Sequence, residues 1–271
     1  MKLFSKIAVC LAILLAAGCA SNPAQNTDSS VESALIVTKN YQGLIKLYRK
    51  QLKQKDSADT RIKLAQAYLN YGDPNSAIFT IKPVNKTEPS VASLVVQANA
   101  QLDVNKTMSA LSSAISADHI DPNNGEVENL LGVIYATDSN YAKARHYFNL
   151  AREHFYDDVK VTNNLVVLDI LQSKYQQAVD RIMPMYKNNQ ADKQMMANLV
   201  IAVAKSKNLQ LLESILEPKY SDRAIAQLYL TLQTTEAVTA LPLHHSKPAS
   251  ASQVNKKPSK LAKSHHKKGK K

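Results

Sequence analysis

Alanines recur in this chain at an interval that few folds permit. Ala77, Ala110, Ala144 and Ala178 stand 33, 34 and 34 residues apart. Each lies in a stretch whose apolar residues return every three or four positions, the spacing of one helical face. Gly125 to Asp158 shows the unit whole: an apolar stripe, a polar break at Thr137 to Asn140, then a second stripe with Tyr141, Ala144, Phe148 and Ala151. It reads as a helical hairpin, and the rest of the chain copies it.

Within that unit Leu131-Gly132-Val133-Ile134-Tyr135 sets a small residue among large ones. A small residue at a helix crossing lets two backbones approach, where a larger one would overpack the contact at a cost of roughly 1–3 kcal/mol. Ala144 belongs at the facing point of the second helix. Leu131, Gly132, Tyr135, Tyr141, Ala144, Phe148 and Ala151 together resemble the tetratricopeptide repeat, whose period is about 34 residues. Glu128 stands at that family's usual Trp position and Tyr156 at its terminal Pro. The resemblance implies an all-α superhelix of helical hairpins, its concave face lined by the first helix of each.

The expected array has about six hairpins, two of them degenerate, and a closing helix. The first lies near Gln25 to Ser57, with Tyr41, Leu44 and Tyr48 on its second helix. Ala58 to Ser90 follows with a Gly72-Asp73-Pro74 turn, and then Val91 to Asn124, where Gln97 and Gln101 replace large residues and predict a thinner, looser hairpin. Val159 to Asp192 carries Asp169 at the usual Tyr position and Pro184 in its second helix, where the ring should shorten or kink it. Lys193 to Lys219 is the sixth unit, and Ser221 to Glu236 an amphipathic cap over the last apolar face.

Charge is unevenly placed. The formal net charge is +12, but nine Lys and no acid lie in 247–271, and Lys2 and Lys6 open the chain. The remainder holds 23 bases against 22 acids, so the body carries no general affinity for nucleic acid.

Residues 1–18 read as an export signal: a basic start, an apolar run from Ile7 to Leu15, and a small-residue exit at Ala16-Ala17-Gly18. The run is too short for a membrane span, which needs about 20 apolar residues. It resembles a bacterial lipoprotein signal, which implies a covalent lipid on Cys19 and, since Ala20 rather than Asp follows, the periplasmic face of a Gram-negative outer membrane. Cys10 falls in the discarded segment, so no disulfide forms within the mature chain and no other cofactor is expected. Residues 19–30 read as a flexible tether, 31–236 as the array and 237–271 as a disordered Lys- and His-rich tail. Two readings of the tail stand: a solvated extension, or contact with an anionic cell-wall or lipid surface.

No catalytic or metal constellation is visible. The mature chain has no second Cys, no Gly-rich phosphate loop, no HExxH and no nucleophile elbow, and His119, His146 and His154 are read as surface or turn-packing residues. The expected activity is therefore protein binding, without an enzymatic step. In tetratricopeptide families the groove uses fixed positions of the first helix, which here are Glu126, Asn129 and Val133, then Lys160, Asn163, Asn164 and Val167, then Asn198 and Ile201. Asn129 to Asn163 and Asn164 to Asn198 are each 34 apart, giving two asparagine rows. Their amides carry donor and acceptor and suit the backbone of a bound segment; the other reading is that they satisfy neighbouring helices.

The NNLVVL segment, followed by ANLVIAVAKSKN and a closing SDRAIAQLYLTL helix, resembles the TadD lipoproteins of the tight adherence (Flp pilus) machinery. That resemblance implies a pilotin-like assembly factor whose partners are a secretin or other pilus components. The alternative is a periplasmic adaptor scaffolding peptidoglycan enzymes, in which the tail would be central.

Overall fold

The computed structural model describes residues 23–217 and 219–235. The leader, Cys19 and the tail 237–271 lie outside them. The described residues form thirteen helices and no strand: α1 Pro23–Val37, α2 Tyr41–Gln54, α3 Ala58–Tyr71, α4 Pro74–Thr87, α5 Val91–Asp103, α6 Thr107–Ile120, α7 Gly125–Thr137, α8 Tyr141–Glu153, α9 Asp158–Leu171, α10 Tyr175–Lys187, α11 Lys193–Lys205, α12 Leu209–Leu216 and α13 Asp222–Thr234. Successive pairs make six hairpins, and α13 packs on α11 and α12. No described helix is long and apolar enough to cross a membrane.

One turn is repeated through the array. Lys39, Gly72, Asn105, Ser139, Ser173 and Lys207 all have positive φ, between 51° and 90°, and they stand 33, 33, 34, 34 and 34 apart. After each, a backbone N–H reaches five residues back: Asn40 to Leu35, Asp73 to Tyr68, Lys106 to Gln101, Asn140 to Tyr135, Lys174 to Asp169 and Asn208 to Val203. This left-handed closure satisfies carbonyls that the ending helix leaves open. Asn40, Asp73, Asn140 and Asn208 then cap the second helix by accepting a backbone N–H through the side chain. The first helices are capped in the same way by Ser57, Ser90, Asn124, Asp157, Asp192 and Ser221 ahead of α3, α5, α7, α9, α11 and α13.

The small residues of the repeat sit at the crossings. Ala77, Ala110, Ala144 and Ala178 are wholly buried. A Cβ on Gly132 would come within 2.5 Å of the Phe148 ring, so α7 and α8 meet only because that position lacks a side chain. The largest core cluster runs from Leu94 on α5 to Leu168 on α9, and a second runs from Val166 to Ile225.

Three expectations change. The helical array starts at Pro23 rather than 31, inside the stretch read as a tether. Within that stretch Asp28 meets Lys50 at 3.7 Å; further along α1, Glu32 meets Lys63 at 3.3 Å and the Tyr48 hydroxyl donates to Glu32 at 2.9 Å. Burial and the Glu32 carboxylate push the Tyr48 phenol above its ordinary range. The third hairpin is not loose, because its polar residues pair with one another. Asn85 Nδ2 donates to Gln97 Oε1 at 2.8 Å, Gln97 Nε2 to Ser113 Oγ at 3.0 Å, and Ser113 Oγ to Gln101 Oε1 at 2.8 Å. Pro184 does not shorten its helix either; α10 keeps 13 residues, as α8 does, with Ala178, Val179 and Ile182 buried ahead of the ring.

Candidate partner-binding groove

The first helices of neighbouring hairpins lie side by side, with α3 against α5, α5 against α7, α7 against α9 and α9 against α11. Their shared face carries the residues expected in the groove. It does not display them equally. Glu126 and Lys160 are exposed and Asn163, Asn164 and Ile201 half-buried, whereas Asn129, Val133, Val167 and Asn198 are buried between helices. Glu126, Asn129 and Val133 share one dent with Val95, Asn99 and Leu130. Asn99 belongs to the same face, one repeat ahead of the three that hold the expected groove residues.

The asparagines are spent largely on each other. Asn164 Nδ2 donates to Asn129 Oδ1 at 2.8 Å, and Asn198 Nδ2 donates to Asn163 Oδ1 at 2.8 Å. The two rows thus join α7 to α9 and α9 to α11 through diagonal steps of 35 residues. Paired amides in a part-buried seam hold the helices in register. Lys160 is also engaged: its ammonium lies 3.6 Å from Asp157 and 5.5 Å from the centre of the Tyr156 ring. Burial raises the Tyr156 phenol above its usual value against the opposing pull of Lys160. What remains open to a partner is a shallow rim of Glu126 and Lys160 around a half-buried floor.

Two departures from the repeat pattern turn out to be buried carboxylates with side-chain partners far along the chain. Asp169, fully buried at the usual Tyr position, receives Arg145 Nη2 from α8 at 2.6 Å and Arg181 Nε from α10 at 2.9 Å. Arg145 also donates to Gln172 at 3.1 Å. Glu128, buried at the usual Trp position, meets His154 Nδ1 at 2.7 Å. The sequence flagged Asp169 and Glu128 as misfits, but their partners lie 12 to 26 residues away on other helices, beyond what spacing reveals. Among the described residues no group of three or more His, Cys, Asp or Glu is placed to hold a metal.

No known protein family profile matches this chain, and no curated protein matches it. Solved structures do. A thermophilic TPR protein of Thermus thermophilus superposes with a TM-score of 0.60 at 17% identity, covering 66% of this chain and 98% of that one. PilF of Pseudomonas aeruginosa gives 0.56 at 14% identity, covering 78% and 97%. A tetratricopeptide repeat protein of Parabacteroides merdae gives 0.53 at 10% identity, covering 78% and 100%. At such identities the likeness is one of architecture: the chain has the all-α tetratricopeptide-repeat fold.

Proposed function

We propose that the chain is a non-enzymatic, lipid-anchored assembly factor that holds a protein partner along the concave face of its array. The observation that carries this reading is the run of first helices from α3 to α11, packed side by side so that the exposed Glu126 and Lys160 rim a half-buried face, on a frame with its own capping helix. Cys19 supplies the covalent lipid and so puts the face at the periplasmic side of the outer membrane. The partner is a secretin or another component of a Flp pilus machine, in line with the NNLVVL and SDRAIAQLYLTL segments.

Capture from solubilised outer membranes tests the reading. The acylated chain should retain secretin, and Glu126→Arg combined with Lys160→Glu should lose it while the Tm of the array stays unchanged. Secretin that multimerises normally in the outer membrane of a deletion strain would refute the pilus role. The Lys-rich tail favours a second reading, an adaptor for peptidoglycan enzymes. In that case deleting Lys256 to Lys271 should abolish salt-sensitive cell-wall pull-down, and hydrolases rather than secretin would be captured.

A further inference from the structure

The cations of the array are concentrated at one end. Lys46, Arg49, Lys50, Lys53 and Lys55 lie on or directly after α2 with no carboxylate from Asn40 to Lys55, whereas from Asp56 to Glu236 there are 20 acids against 17 bases. Lys46, Arg49 and Lys53 are exposed and form no ion pair among the described residues. Lys50 keeps 61% of its side chain exposed despite Asp28. The same cations line a broad cleft at the ends of α1, α2 and α3, together with Val31, Ile45 and Tyr71. Val31 is 48% and Tyr71 55% exposed, and the last turn of α1 leaves Ile36 and Val37 open to solvent as well.

Two considerations choose the occupant. The first is distance. Cys19 stands four residues before Pro23, where α1 begins, and four residues span at most about 14 Å. An acyl chain on Cys19, the anchor proposed above and the premise of this inference, would therefore hold the start of α1 within one to two Debye lengths of the headgroups. The second is chemistry. Unpaired ammonium and guanidinium groups beside exposed tyrosine and aliphatic side chains match an anionic lipid interface, where cations meet phosphates and aromatic rings sit at headgroup depth. The chain's own Lys-rich tail carries the same sign of charge and so is no electrostatic match for this face.

We propose that the α1–α2 hairpin is a membrane-contact face. Lys46, Arg49 and Lys53 bind the phosphates of anionic phospholipids beside the lipid anchor and seat the array on the surface. The lipid anchor holds the chain at the membrane and the basic patch sets how it sits there, each cation near the surface strengthening attachment. The seat also aims the array: a hairpin pinned at both Cys19 and α2 cannot swing as it would on a 12-residue tether.

The test places an environment-sensitive fluorescent amino acid at exposed Gln42 in the full chain carrying Cys19→Ser, and a second at Gln177 on α10 as the distant reference. With vesicles of phosphatidylglycerol and phosphatidylethanolamine, the Gln42 probe should shift to the blue and the Gln177 probe should not. Vesicles of phosphatidylcholine should leave both unchanged. Lys46→Glu, Arg49→Glu and Lys53→Glu together should weaken the Gln42 response by about 100-fold in lipid concentration, with an unaltered helical circular dichroism spectrum and the tail intact. A silent Gln42 probe on anionic vesicles, or a response indifferent to the triple reversal, overturns the proposal. So does a probe that answers polyglutamate but not vesicles, which would make the occupant an acidic peptide. Palmitate labelling of the wild-type chain is read separately: absence of label at Cys19 refutes the anchor, whereas the Gln42 probe decides the basic face.

Discussion

At the scale of single residues, stability in this array rests on a few positions where the repeat pattern is either obeyed sterically or broken ionically. Gly132 is the first kind. Because the Phe148 ring is wholly buried and occupies the space a Cβ would need, Gly132→Ala should cost about 1–3 kcal/mol in urea unfolding, and Phe148→Leu should recover part of that loss in the double variant. Asp169 is the second kind. Asp169→Asn leaves two guanidinium groups without a counter-charge, each under a third exposed, and should destabilise by about 2 kcal/mol, less than a fully buried pair would lose. The asparagine pairs make a distinct demand. Asn164→Ala strands the buried Asn129 carbonyl and should cost about 1–2 kcal/mol, and a double-mutant cycle with Asn129→Ala should show coupling that two independent groove residues would lack.

At the scale of the hairpin, the turn is where the sequence accepts strain. Five of the six inner turns place a non-glycine residue at positive φ, a conformation that L residues adopt at a cost of roughly 1–2 kcal/mol, smaller for Asn. Ser139→Gly and Lys207→Gly should therefore each raise stability by about 0.5–1 kcal/mol, measured as a higher urea midpoint with an unchanged m-value. Gly72, at φ 90°, should respond in the opposite sense when replaced by Ala. Turns were legible in the Gly72-Asp73-Pro74 triplet and in the polar break at Thr137 to Asn140. At Lys39, Ser139 and Lys207 nothing in the residue type announces a left-handed backbone, which is imposed by the helices on either side.

At the scale of the whole molecule, neighbour-to-neighbour packing sets the behaviour, as in any stacked array. α13 buries Ile225 against α11 and α12 and, among the described residues, has no neighbour of its own beyond. Deleting residues 221–235 should expose the second core cluster, so that α11 and α12 lose hydrogen-exchange protection before α5 to α8 and unfolding becomes visibly multistate. The opposite end differs in kind. There the first hairpin is held by Glu32 to Lys63 and Tyr48 across three helices, and its unpaired cations lie on the outside.

Helix, period and hairpin were legible in the chain because they follow from local rules: apolar spacing, small residues at fixed intervals, and caps placed next to turns. The face used for partners was legible only as a set of positions. Whether those positions are open depends on how closely successive first helices approach, a distance set by side chains 34 residues apart and by none of them alone. That approach buried Asn129, Val133, Val167 and Asn198 and joined the asparagines to one another. The second helices gave Asp169 its two arginines, and α1 runs back through residues 23–30, where Asp28 meets Lys50 of α2.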